Sequence, residues 1–238
     1  MELNQEQLIG KSRSHVVQFN GFALHPSAYY AFIRMQGEAK ADGIDLAIAS
    51  SFRDFRDQLN IFNGKYLGSK PLLNDQGDKL NALELEPWPR IQAILRWSAL
   101  PGASRHHWGT EMDLYDAARL APGAKLQLVP EEYAPQGPFG PMTTWLTTHM
   151  GRFGFYRPFA QDLGGVAPEP WHLSYAPLAQ AAQAALSMKL LQDTLEQAPL
   201  EGKPWVLDHL NLVYERFVQA VSPPPAQGLP SAAKSANL

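Results

Sequence analysis

The sequence predicts a globular chain that mixes helices with short strands. Three observations lead there. Apolar residues fill 45% of the 238 positions and include six Trp, which is too apolar for a disordered chain. Several segments place apolar residues at helical spacing. Between them lie apolar runs too short for a helix, such as Leu46-Ala47-Ile48-Ala49 after the turn at Gly43. The length suffices for a buried core and fits one domain with additions or two small ones.

The first 21 residues are polar and mixed, with no basic start leading into an apolar run of secretory type. No stretch is apolar enough to span a membrane. The expectation is a soluble, cytoplasmic protein, with export by another route as the alternative. A net charge of -3 gives no basic footprint for nucleic acid. His25-Pro26-Ser27 opens a helix to about Ala41, with Tyr30, Ile33 and Met35 inward and Gly43 closing it. The apolar run 46–49 follows as a buried strand, so Arg53 stands just past a strand end, where a side chain can enter a cleft. Phe55 to Tyr66 reads as a second helix ended near Gly64. Leu67 to Pro89 reads as a long loop, rich in Gly, Pro, Asn and Asp. Pro89 to Ser98 reads as a short helix with Ile91, Ile94 and Leu95 inward.

The densest chemistry lies in Ser104-Arg105-His106-His107-Trp108-Gly109-Thr110-Glu111-Met112-Asp113 and in Glu169-Pro170-Trp171-His172. The chain has no cysteine, so a transition-metal site must use His and carboxylates. A catalytic zinc takes three protein ligands and leaves one position open. His106, Asp113 and His172 can supply the three, with Glu169 free as a general base near the metal. Each residue alone has an ordinary reading: a core histidine, a turn aspartate, a loop glutamate. Jointly they are much harder to dismiss. His107 neighbours His106, but adjacent side chains of an extended segment point to opposite faces, so only one of the pair reaches a metal. Gly109 suits a tight turn that no Cβ permits. Met112-Asp113-Leu114 reads as strand.

Residues Ala117 to Pro138 are loop-rich. Pro141 to Met150 reads as a helix burying Trp145 and Leu146, and Gly151 to Tyr156 as a turn and strand. Trp171 is expected to pack under the site as core. Pro177 to Gln197 and Pro204 to Val221 read as two long helices, parted by Gly202 and Pro204 and forming a hairpin. Packing on the preceding domain is the favoured role of that hairpin. From Ser222 onward Pro, Ala, Ser and Gly predict a disordered tail. The domain division is thus 1–176, 177–221 and 222–238.

The pattern S-x-H-x-x-G-x-x-x-D followed by E-P-W-H resembles the zinc D-alanyl-D-alanine carboxypeptidase family, which includes vancomycin-resistance D,D-carboxypeptidases and dipeptidases and related L,D-carboxypeptidases. That family's upstream S-x-x-R-x-x-x-x-Q segment is matched by Ser50 to Gln58. The resemblance implies an α+β fold whose small antiparallel sheet carries the site, flanked by helices. It implies one Zn2+ per chain on His106, Asp113 and His172, and Glu169 as catalytic base. Arg53 is implied to steady the oxyanion or orient the substrate carboxyl group. Ser104 and Gln58 are implied to line the substrate site. The expected activity is hydrolysis of a terminal D-amino acid, D-Ala, from peptidoglycan-derived peptides. The alternatives are an endolysin-type L-Ala-D-Glu endopeptidase and a non-catalytic, metal-containing peptide-binding module. Two positions depart from the pattern: Glu111 where the family often has Ala, and Ser174 where many members have Arg. Neither is a ligand, and both are expected to bear on substrate preference.

Overall fold

A computed structural model describes residues 2–225. In chain order it contains α1 Gln5–Leu8, β1 Val17–Phe19, β2 Phe22–Leu24, α2 Pro26–Ala41, β3 Leu46–Ser50, α3 Phe55–Tyr66, β4 Leu72–Leu73, β5 Lys79–Leu80 and α4 Pro87–Trp97. There follow β6 Glu111–Asp116, α5 Pro130–Tyr133, α6 Gly140–His149, β7 Phe155–Tyr156 and β8 His172–Tyr175. The chain continues through α7 Ala176–Ala185, α8 Met188–Gln197, α9 Lys203–Asp208, α10 Leu210–Val213 and a π-helical turn Tyr214–Gln219. This is the mixed fold the sequence implies: helices around small antiparallel sheets. No helix among the described residues is long and apolar enough to cross a membrane.

The main sheet has strand order β3-β6-β8-β7, antiparallel throughout. Strand residues alternate between faces. Met112, Leu114 and Leu173 are fully buried on one face, in a core with Phe32 and Met35 of α2 and Met142 and Leu146 of α6. A second core lies apart from it. There α3 and α4 contribute Phe62, Ile91 and Ile94, and the last helices contribute Leu191, Leu195, Val206 and Val213. The C-terminal helices therefore share a core with α3 and α4.

Several elements differ from the sequence reading. On α2, Met35 is buried, but Tyr30 and Ile33 face solvent, and Ala28, Ala31, Phe32 and Ala39 take the inward positions. Small alanines let α2 lie close to the sheet, so its buried stripe is not its bulkiest one. The long loop 67–89 contains the β4–β5 hairpin, a 3-10 turn Ala82–Glu84 and the start of α4. Each of the two long C-terminal helices is broken. Ser187 is extended and accepts Leu190 N–H at 3.2 Å, capping a new helix at α8. The second break falls at His209. The expected tail lies, beyond residue 225, outside the described residues. Ser222 is buried, and its N–H donates to Pro158 O at 2.8 Å.

Candidate metal centre

Antiparallel register assembles half of the site. Asp113 lies on β6 with Ser50 of β3 opposite on one side and His172 of β8 on the other. Two residues away on the same face, Glu111 stands opposite Ser174. Because Met112, Leu114 and Leu173 enter the core, Asp113, Glu111, His172 and Ser174 must share the other face.

His106 arrives from outside the sheet, on a 3-10 turn Arg105–Trp108. The sequence reading assumes extended backbone here. With three residues per turn, His106 and His107 instead diverge by about 120°. The turn ends at Gly109, in the left-handed region at φ 68°, where a Cβ would stand 2.3 Å from Val16 Cγ1. His107 points away and is fully buried. Its Nε2 accepts Gly102 N–H at 3.1 Å and its Nδ1 donates to Arg53 O at 2.6 Å. Burial pushes it down to about 4, so it stays neutral.

Hydrogen bonds dictate which ring nitrogens face the site. His106 Nδ1 lies 2.7 Å from Ser51 O, a pure acceptor, so it carries the proton and Nε2 presents its lone pair. His172 Nε2 lies 2.8 Å from Glu111 Oε2, so it donates there and leaves Nδ1 facing inward. His106 Nε2 is 3.5 Å from Asp113 Oδ2, and His172 Nδ1 is 3.3 Å from Asp113 Oδ1. Ligand atoms ~2.0–2.1 Å from a tetrahedral zinc stand roughly 3.4 Å apart. Donor atoms of His106, Asp113 and His172 all lie within 4.8 Å of one another. Asp113 Oδ1 is buried and accepts no hydrogen bond among the described residues. Two ring nitrogens aimed inward, an orphaned carboxylate oxygen and this spacing fit a divalent metal. Burial drives His106 down to about 3, against the pull of Asp113. Burial also opposes charge on His172, but the carboxylates of Asp113, Glu111 and Glu169 outweigh it and raise this imidazole well above its usual range. The site is built to hold positive charge.

Glu169 stands next to these three: its Oε2 is 3.2 Å from His172 Nδ1. Its backbone N–H donates to Phe159 O at 2.9 Å, and Arg157 holds the following turn through Pro170 O at 2.8 Å. Burial raises the Glu169 carboxyl above its usual range, although His172 and Arg53 pull the other way. Trp171 is buried in the sheet core beside Tyr133 and also reaches the cleft wall.

The segment from Ser50 to Gln58 works as a clamp. Arg53 Nη1 donates to Gln58 Oε1 at 2.8 Å and Nη2 to Ser50 Oγ at 3.1 Å. The outer residues of the motif hold its middle one. Gln58 is fully buried, and its amide reaches Ala99 O at 2.7 Å. It sits behind Arg53 and not on the cleft wall, a correction to the substrate contact expected from the sequence. Ser104 does line the cleft, along with Arg53, His106, Asp113, Glu169 and His172. The cleft offers about 300 Å³.

The two departures from the family pattern meet. Ser174 Oγ donates to Glu111 Oε1 at 2.7 Å, and Thr110 Oγ1 donates to the same oxygen at 2.9 Å. Arg105 brings a guanidinium between them, 3.4 Å from Glu111 and 2.8 Å from Ser174 Oγ. Burial alone would raise Glu111, but Arg105 and His172 outweigh it and hold the carboxyl near 2. Glu111 thus touches His172 directly, which the sequence reading does not anticipate. Arg105 also donates to Gln183 Oε1 at 2.6 Å, and Gln183 Nε2 donates to Val218 O at 2.9 Å. Gln183, Phe217, Val218 and Val221 line the cleft, so the C-terminal helices supply part of its wall. Nothing in their apolar periodicity distinguishes that wall from ordinary packing.

A family model described as VanY, D-alanyl-D-alanine carboxypeptidase, matches residues 21–178. The chain belongs to this family. Among curated relatives, two uncharacterized proteins of Haemophilus influenzae are 36% identical over 121 residues and 42% identical over 105. These matches cover 50% and 42% of this chain and 92% and 72% of the relatives. A D-alanyl-D-alanine carboxypeptidase of Enterococcus faecalis is 24% identical over 151 residues, 61% of this chain and 45% of that protein. Among solved structures, VanYB in complex with D-alanine-D-alanine aligns with a TM-score of 0.51 at 22% identity, over 76% of this chain and 88% of that one. A mutant of the D,D-pentapeptidase VanY in complex with Zn(II) gives 0.50 at 24% identity, over 72% and 83%. These structural likenesses show a shared fold. The VanY match stops at residue 178, in the first turn of α7 and before the wall residues Gln183, Phe217, Val218 and Val221.

Proposed function

We propose that this chain is a zinc-dependent carboxypeptidase that removes a terminal D-alanine from peptidoglycan-type peptides. The observation that carries the reading is the convergence of His106 Nε2, His172 Nδ1 and the Asp113 carboxylate, with Glu169 beside them and Arg53 on the same cleft. Zinc held by His106, Asp113 and His172 would supply Lewis acidity and make an attacking water more acidic. Glu169 takes the proton from the attacking water and returns it to the leaving amine. Its raised carboxyl suits both halves of that transfer. Arg53, already aimed by Ser50 and Gln58, donates to the carbonyl oxygen as charge develops on it, at no cost of reorganisation. Ser104, which lines the cleft, steadies the peptide in this reading. The VanY-family match supports the choice of substrate class.

The test pairs metal content with D-Ala release from an N-acetylated peptide ending in D-Ala-D-Ala. The wild type holds one zinc per chain and releases D-Ala. Glu169→Ala keeps its zinc and loses ~100- to 10,000-fold in rate. Wild-type turnover by that variant sinks the mechanism. Absence of turnover by the wild type on every D-amino-acid peptide favours the binding-module alternative.

A further inference from the structure

Among the cations lining the cleft, Lys65 has no part in the chemistry above and no partner among the described residues. Lys65 occupies the last turn of α3 and lines the cleft with Arg53 and Glu169. Helical side chains lean toward the N-terminus. The stem of Lys65 therefore leans over the preceding turn of α3, and its charge feels those of Glu169 and Arg53. Its ammonium pairs with no described residue, whereas Lys189 pairs with Asp193 and Lys203 with the carbonyls of Glu196 and Ala198. It does not cap α3 either, because backbone N–H groups of Leu67 and Gly68 take the carbonyls of Asn63 and Lys65. The cleft carboxylate Asp75 is already bound to Arg96 at 2.7 Å, and Asp113 faces the two histidines.

A partly buried ammonium without a partner is unfavourable. Burial pushes Lys65 down to about 8, with Glu169 pulling the other way and Arg53 and Lys70 adding to the fall. An incoming anion would relieve this. A peptide with a free C-terminus makes two separate demands for positive charge: the carbonyl oxygen during reaction and the carboxylate at all times. Arg53 is clamped in one position and suits the first. Resting on the peptidase reading above, we propose that Lys65 binds the C-terminal carboxylate of the substrate, leaving Arg53 to the scissile carbonyl. An endopeptidase has no carboxylate to place there, so Lys65 selects for removal of a terminal residue.

The experiment compares N-acetyl-D-Ala-D-Ala with its C-terminal amide, by titration calorimetry for binding, every chain there also carrying Glu169→Ala so that the peptide survives, and by D-Ala or D-Ala-amide release for turnover in chains that keep Glu169. With Lys65 in place, the chain binds the acid more tightly than the amide. Lys65→Ala weakens acid binding and raises its KM by ~10- to 100-fold, the usual loss for a hydrogen bond to a charged group. Amide binding and kcat hardly move. Lys65→Arg restores part of the acid preference, and thermal melting of both variants confirms that they fold. A preference for the acid that survives Lys65→Ala overturns the assignment, as does equal damage to acid and amide. Calorimetry keeps this test independent of catalysis: acid preference without turnover overturns the peptidase reading alone.

Discussion

The sheet half and the helical half of this molecule serve the cleft in different ways. The sheet half is fixed by register: Asp113 opposite His172 and Glu111 opposite Ser174 put these side chains on one face, and hydrogen bonds to the rings set the donor atoms. The helical half contributes by reach. Lys65 extends from the end of α3, Gln183 from α7, and Phe217 and Val218 from the π-helical turn. Short strands locked by cross-strand hydrogen bonds suit atoms that must be placed to within tenths of an ångström. Long side chains on helices suit selection, where a peptide is gripped and not broken. The halves have separate apolar cores and meet through polar contacts, Arg105 with Gln183 and Arg216 with Gly164.

The strongest way to break this division is to strike the residue both histidines share. Asp113→Ala removes the carboxylate facing His106 Nε2 and His172 Nδ1, and is expected to abolish both zinc retention and hydrolysis while the chain still folds. Full zinc occupancy by elemental analysis contradicts the assignment. Next comes Glu111→Ala. It frees the ring of His172 and leaves Arg105 buried without its carboxylate. The expected loss is ~10- to 100-fold in zinc affinity and ~3–5 kcal/mol in stability. Chelator competition and denaturant titration read the two effects separately. Glu111→Gln should do less harm, because it still accepts from His172.

On the helical side, away from the contact of Gln183 with Arg105, metal content should not respond. Phe217→Ala is expected to keep zinc and shift kcat/KM by about tenfold, the scale of a small change in an apolar subsite. Loss of zinc in that variant would show that the two halves are not separable. The smallest effect sharpens the role of Lys65 by pH. Arg53 and Glu169 on the cleft, Asp75 on the β4–β5 hairpin and the following Lys70 set its surroundings. Its ammonium is charged below about 8 and neutral above, so the preference for acid over amide should fade as pH rises through that value. Lys65→Arg should hold its preference to higher pH, because a guanidinium does not titrate there.

The sheet half was far more legible in the sequence than the helical half. Alternation along β6 and β8 puts Asp113 and His172 on one face, and His106 reaches them from the turn before β6, so the residues that converge could be named from two short motifs. Even there, the partners behind them were hidden. Gln58 read as a substrate contact because a motif shows which residues are fixed, not which way they face. Glu111 and Ser174 read as two unrelated departures. Only the register places them opposite each other, where Arg105 joins them. The helical half was opaque for a different reason. The apolar stripe of α8 looks the same whether it buries a core or backs a cleft. The breaks at Ser187 and His209 lack the Gly or Pro that usually announces one. On α2, bulk was a poor guide to direction, since the sheet is met by alanines.

Gly165 lies so close to the C-terminal segment that a Cβ on it would sit 1.7 Å from Arg216 O, and Arg216 Nε donates to Gly164 O at 2.7 Å. This loop leads directly to Glu169. During synthesis, Glu169 leaves the ribosome well before Arg216 does. The nascent chain can thus form its sheet and gather its histidines while the loop bearing Glu169 still lacks its support. Glu169 is then seated late, after the segment that holds its loop has been made.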